Sequence, residues 1–366
     1  MQNRTKNLLQ SVLFLLCLFS LSALCVFSPA KEKSETERRP LKQFPPLTLS
    51  SITSGRFMSD FEEYTLDQFP MRDTFREIKA LAASKLFAQT DNNGLYEFDG
   101  VLCKMEYPMN EASIAHAGQR FRAIYDTYLK DTEANVYFSV IPDKNAFWAE
   151  SSGHLSMDYA ALYATVKSQN DFAQFIDIVP SLTISDYYAT DTHWRQENIA
   201  GTAKTLASAM GAEISGNYTV NTLNEPFYGV YAGQYALPVE ADSLCWLTND
   251  TIEGYRVYDH ENDREIPVYD LAKAAGNDPY EVFLYGPLSL VTIENPAADT
   301  EKELIVFRDS FGSAIAPLLA EGYRKVTLVD IRYLPSAVLG SYIDFEGQDV
   351  LFLYSTLVLN NSSTMK

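Results

Sequence analysis

The chain has 366 residues, 46% of them apolar, enough to bury a sizeable core in one large domain or two ordinary ones, which argues against a disordered chain. A formal net charge of −19, scattered rather than blocked, argues against unaided binding to nucleic acid or to an anionic membrane. Four cysteines with no C-x-x-C pair, and four scattered histidines, give neither a disulfide framework nor metal-ligand spacing.

In chain order, "MQNRTK" carries Arg4 and Lys6 ahead of the uncharged run "LLQSVLFLLCLFSLSALCVFS", close to the roughly 20 residues that cross a bilayer. Residues 1–28 therefore read as a signal-anchor helix with its basic end in the cytoplasm and the bulk of the protein outside. Cleavage after Ala30, in "SPA", is the alternative, which would leave a secreted protein. Cys17 and Cys25 each follow leucine, so neither fits a lipoprotein site, and Cys103 and Cys245 read as two separate buried thiols.

Residues 29–55, rich in charge, proline and serine, read as an extended tether, and order is expected from Arg56 to the end of the chain. Two helices with a break at Pro70 come first, followed by a hairpin in "NNGLYEFDGVLCKM", where Asn-Gly and Asp-Gly mark turns. Next come a helix over 111–130, the buried strand "NVYFSVIP", a helix through "MDYAALYATVKSQ" and the strand "FIDIVP". Residues 211–279 break into short aromatic and β-branched pieces and read as a β-rich insertion. Alternation then resumes with the strand "ELIVF", the helix "SAIAPLLAEG" and the strands "KVTLVD" and "DVLFLY", an α/β pattern with a mostly parallel sheet.

Two stretches carry chemistry. In "YYATDTHWRQENIAGTAKTLASAM" Asp191 stands two residues before His193, a spacing that puts the pair in an extended or turned segment just before a helix, with Trp194 beside it to shield the imidazole. In "ELIVFRDSFGSAIAPLL" Ser310 falls at the carboxyl end of a strand and the start of a helix, where open α/β sheets place ligands and helix amides face an oxyanion. A serine needs an adjacent base, and the base needs a group that fixes its tautomer; His193 and Asp191 supply both. Taken singly, each stretch also reads as a helix cap, and it is their conjunction that points to catalysis. His116, His154 and His260 have no comparable surroundings.

"TDTHW" followed much later by "RDSF" resembles the DHHW-motif proteins and the related alginate O-acetylation proteins of the SGNH-hydrolase superfamily, in the permuted order with aspartate and histidine before serine. "FEEYTLDQFPMRDTF", "NNGLYEFDG", "FYGVYAGQY" and "VTLVDIRYL" are similar too, so the resemblance spans most of residues 56–366. It implies a flavodoxin-like parallel-sheet core with Asp191 as orienter, His193 as base and Ser310 as nucleophile, and a role in O-acetylating an exported polysaccharide. Thr192 replaces the first histidine of the motif, and "LYGPLSL" stands where relatives have a Gly-Gly-Asn-like stretch. Oxyanion and substrate contacts then fall to backbone amides near Ser310, Phe311 included, with Asn295, Arg332 and Tyr354 near strand ends.

The expected activity is transfer of acetyl through an acetyl-Ser310 intermediate to a glycan hydroxyl, with no metal or other cofactor. The resemblance further implies a membrane-bound O-acyltransferase partner that passes the acyl group across the membrane. Two rivals stand beside this reading. An esterase would use the same residues with water as acceptor, and a non-catalytic glycan-binding protein would stack sugars on Tyr228, Tyr231, Tyr235 and Trp246.

Overall fold

The computed structural model describes residues 2–366 and falls into two compact units: residues 1–93 with 232–238, and residues 94–231 with 239–366.

In the first unit α1 (Gln2–Phe27) contains a 24-residue stretch, Arg4–Phe27, with an 18-residue window of mean hydropathy 2.3, long and apolar enough to span a bilayer. Residues 29–55 are not simply extended. Lys33–Ser34 pairs with Arg39–Pro40, and Leu49–Thr53 forms a short helix whose N-cap, Thr48, exchanges hydrogen bonds with Ser51. Two helices follow, α2 (Arg56–Asp67) and α3 (Arg72–Leu81), interrupted at Pro70 as the sequence predicts. Arg39 holds the Asp67 carboxylate at 2.6 Å, and this bond keeps the Asp67 pKa down at about 2.

The second unit opens with the hairpin β1 (Leu95–Phe98) and β2 (Val101–Lys104), whose turn residues Asp99 and Gly100 both have positive φ, 49° and 78°. Asn110 caps α4 (Glu111–Ile124), which is followed by β3 (Asn135–Ile141). Asp158 caps α5 (Tyr159–Gln169), and of the strand expected in "FIDIVP" only Phe175 is in one, β4 (Gln174–Phe175), while Val179–Ser181 forms a 3-10 turn. After α6 (Ala200–Ala209) the insertion contributes a separate ribbon, β5 (Thr219–Thr222) with β6 (Cys245–Thr248), and two strands of the main sheet, β7 (Arg256–Asp259) and β8 (Arg264–Ile266). Further along the chain come β9 (Leu290–Glu294), β10 (Glu303–Arg308), α7 (Gly312–Leu319), β11 (Lys325–Val329) and β12 (Asp349–Ser355).

The eight-stranded sheet has the order β8-β7-β9-β11-β10-β12-β3-β4. Strands β11, β10, β12, β3 and β4 are parallel, with Phe307 level with Val329 on one side and Phe352 on the other. β9 runs the other way, pairing Leu290 with Val329 and Glu294 with Lys325.

Both faces are covered, which is why β10 is a continuous apolar run rather than an alternating one. Leu304 and Val306 join a core with Leu206 of α6 and Ile315 of α7, while Ile305 and Phe307 join another with Phe121 of α4 and Leu162 of α5. Each such buried side chain contributes about 1.5–3 kcal/mol. Cys103 and Cys245 are separate buried thiols, and burial pushes the Cys103 thiol up to about 11.

Candidate active site

Ser310 follows β10 on the turn into α7, at the carboxyl edge of the parallel strands. The turn is tight because Asp309 folds back on it: its carboxylate accepts from the Phe311 amide at 3.0 Å and from the Ser355 amide of β12 at 2.8 Å. Gly312 is required by space. A Cβ there would lie 2.6 Å from the Cβ of the fully buried Arg308, so any larger residue would lift α7 off the strand.

His193 comes from a second tight segment. Tyr187 and Trp194 face each other as an antiparallel bridge, Tyr188 N–H donates to the His193 carbonyl at 3.1 Å, and the chain reverses through residues 189–192. Within this loop Asp191 Oδ1 accepts from both the His193 amide, at 3.0 Å, and His193 Nδ1, at 2.6 Å. His193 Nε2 lies 2.8 Å from Ser310 Oγ. The structure thus brings Asp191, His193 and Ser310 into one hydrogen-bonded relay.

The electrostatics suit that relay. Burial by itself pushes the Asp191 carboxyl up, but the neighbouring imidazole, its hydrogen bond and the Val230 amide outweigh it and hold the carboxylate below the usual range. Asp191 is therefore an anion around neutral pH, able to fix Nδ1 as the protonated nitrogen and leave Nε2 to accept from Ser310. Tyr280 stacks on the imidazole with centroids 3.9 Å apart and planes at 8°. Burial pushes the Tyr280 phenol far above its ordinary range, so it serves the site as a flat apolar wall.

Two buried opposite charges clamp the loop that carries the base. Asp242 accepts from the amides of Ala189 and Thr190, both at 2.8 Å, and from Thr190 Oγ1 at 2.6 Å. Lys144 Nζ donates to the carbonyls of Tyr188, at 2.9 Å, and Ala189, at 3.2 Å, and burial lowers its pKa to about 8. From above, the 229–231 segment adds Gly229 N–H to Thr190 Oγ1, Val230 N–H to Asp191 Oδ2 and Tyr231 O–H to Thr192 Oγ1. Two further bonds join the base segment to α7 directly: the Trp194 indole to the Phe311 carbonyl, 3.1 Å, and the Gln196 amide to the Ala314 carbonyl, 2.6 Å.

The remaining sequence expectations need correction. The Phe311 amide is committed to Asp309, and those of Gly312 and Ser313 to the carbonyls of Asp309 and Ser310. Among the described residues the amide of Ser310 has no such partner, which leaves it, rather than that of Phe311, available to face an oxyanion. Asn295 is at the wrong edge of the sheet. It follows the antiparallel β9, bonds to Arg324 and Ala320, and lies roughly 20 Å from Ser310 by strand geometry. Tyr354 is buried against Phe121 beneath the opposite face, and Arg332 reaches the correct edge but is chelated by Asp330 through Nε and Nη2, at 2.9 and 2.6 Å.

Of the aromatic residues considered for sugar stacking, Tyr231 is buried against the loop and Trp246 packs near Tyr269, while Tyr228 is half exposed and Tyr235 falls in the first unit. Tyr280, Lys144 and Asp242 carry no motif that marks them in sequence; Gly229 and Val230 belong to the "FYGVYAGQY" stretch, though nothing there betrays their role.

No protein-family model and no curated protein matches the sequence. Solved structures do match by fold. A DHHW family protein from Eubacterium siraeum superposes with a TM-score of 0.59 at 18% identity, covering 75% of this chain and 95% of that one. PatB1 from Bacillus cereus gives a TM-score of 0.59 at 19% identity over 72% and 96% of the two chains. PatB1 with a sulfonyl adduct gives 0.58 at 17% identity over 72% and 97%. The chain has the fold of these proteins, as its TDTHW and RDSF motifs lead one to expect.

Proposed function

We propose that this protein is an extracytoplasmic, membrane-anchored O-acetyltransferase that carries acetyl on Ser310 and delivers it to a hydroxyl of an exported or cell-surface polysaccharide. The observation that carries the reading is the unbroken relay from Asp191 through His193 to Ser310, at 2.6 and 2.8 Å. A serine that caps a helix has no need of an imidazole brought from more than a hundred residues away, nor the imidazole of a buried carboxylate.

In the first half-reaction Ser310 Oγ attacks the donor's acyl carbonyl while His193 Nε2 takes its proton. The carbonyl oxygen becomes an anion facing the Ser310 amide. Collapse breaks the bond to the donor's leaving group, which departs with the proton from His193, and an ester remains on Ser310. In the second half-reaction a sugar hydroxyl attacks that ester, its proton goes to His193, and the proton returns to Ser310 Oγ as the acetylated sugar leaves.

The sulfonyl adduct recorded for PatB1 is in keeping with a nucleophile in a protein of this fold. The apolar α1 supports a membrane anchor or signal segment. Acyl supply from the cytoplasmic side by an integral-membrane O-acyltransferase completes the proposal.

Aryl-acetate turnover and the acetyl-enzyme, read by intact mass, test the site. Ser310→Ala is expected to abolish both, and unchanged turnover in that variant overturns the assignment. An oligosaccharide acceptor then separates transfer from its rival: acetylated sugar supports transferase, whereas free acetate alone at every acceptor concentration makes the protein an esterase.

A further inference from the structure

Helix α3 is docked the wrong way round for a soluble protein. Arg72, Arg76, Ala80 and Ala83 fall on one side of it and face inward: Arg72 meets Glu37 at 2.5 Å, Arg76 donates to the Gly233 carbonyl at 2.8 Å, and Ala80 is fully buried. The opposite side carries Met71, Phe75 and Ile78, at i, i+4 and i+7, and continues past the helix end with Leu86; all four are exposed, Ile78 by 55% and Leu86 by 75%. An amphipathic helix held by its charged side and showing an apolar row to the outside is covered by something else.

Two observations choose the cover. The carboxyl end of α1 and the start of α3 are neighbours: Leu24 and Ser28 line a cavity of about 900 Å³ together with Phe69, Pro70 and Met71. Charge is also segregated along the chain. The first unit holds 12 basic and 10 acidic residues, whereas the second holds 17 basic and 38 acidic, so the part that carries α1 is the part an anionic surface does not repel.

We infer that α3 is an interfacial helix, lying in the headgroup zone of the bilayer that α1 crosses, with Met71, Phe75, Ile78 and Leu86 dipped toward the acyl chains. The inference rests on α1 staying attached as an anchor, not on the chemistry at Ser310.

The full chain carrying Ile78→Trp is reconstituted in phosphatidylcholine–phosphatidylglycerol vesicles, and wild-type emission from Trp148, Trp194 and Trp246 is subtracted. Phe75→Trp, a ring for a ring, is the second probe should the first fail to fold. The added indole is expected to lose about half its emission or more to lipid labelled with doxyl at carbon 5, and to be shielded from aqueous iodide. Quenching by iodide and not by doxyl lipid places the row in water and overturns the inference. Shielding from both means a protein cover, a second copy included, and overturns it as well. Flotation with the vesicles in every case separates failure of this inference from failure of the anchor.

Discussion

Gly229→Ala should cripple the site without removing a single atom that takes part in the chemistry. The backbone of Gly229 lies outside the left-handed region, so the reason is space alone: a Cβ there would sit 2.2 Å from Asp191 Cβ, 2.4 Å from Asp191 Cα and 2.5 Å from the Thr190 carbonyl oxygen. Ordinary contact begins near 3.4 Å, so Asp191 and the 229 backbone must part by about 1.2 Å. The loop cannot absorb that freely, because Asp242 and Lys144 hold its amides and carbonyls. A displacement of this size at the orienting carboxylate costs about 100-fold in rate, or about 3 kcal/mol of transition-state stabilisation. Overpacking costs a further 1–3 kcal/mol or so of folding stability. Steady-state aryl-acetate kinetics and thermal unfolding measure both, with kcat expected to fall while KM holds. A Gly229→Ala enzyme with kcat within about threefold of wild type would refute the claim that this close approach sets the catalytic geometry.

Three further outcomes follow from the same contacts. Lys144→Met strips the buried Tyr188 carbonyl of its lysine donor and leaves the Ala189 carbonyl with the Leu102 amide alone, and is expected to cost about 1–3 kcal/mol in thermal or denaturant unfolding and about tenfold in kcat. Asn295→Ala, at the opposite edge from Ser310, should leave kcat and KM unchanged and lower stability by about 1 kcal/mol, the worth of its bonds near Ala320. Burial raises the Asp143 pKa from 3.8 to about 6, against hydrogen bonds from Thr356 and Tyr159 that favour the anion. The folded state therefore binds a proton that the unfolded chain has released between those values, so this residue's contribution to stability rises as pH falls from about 6 to about 4. Unfolding of Asp143→Asn across that range should lack this rise; parallel pH curves for variant and wild type would contradict it.

The relay was legible in sequence because its members sit in two short motifs whose residue types have few joint uses: a carboxylate two before a histidine, and a serine at the end of a buried strand. The contacts around them were not. Phe311 was the natural oxyanion donor by position, but an aspartate side chain competes for nearby amides, and Asp309 takes that one. Asn295 misled because one strand of the sheet is antiparallel, and a strand's direction is set by its neighbours rather than by its own residues. Tyr354 looked suited as a polar group at a strand end, yet the two-residue period of β12 turns it to the face away from His193. The clamp of Lys144 and Asp242 joins residues far apart in sequence, and no local pattern announces it. Likewise, α3 was legible as a helix, but which side of it faces inward depends on Glu37 and Gly233, outside the helix altogether.

Trp194 and Phe311 are the immediate successors of His193 and Ser310, and the indole–carbonyl bond between them forms a second rung beside the first. Two adjacent rungs between the same pair of segments cannot be undone one at a time. Thermal fraying that parts the alcohol from its base must also swing a large, wholly enclosed ring out of its seat. Heat should therefore produce no lingering population that is intact around Trp194 yet inert, and the decay of indole fluorescence and the decay of turnover should trace one curve.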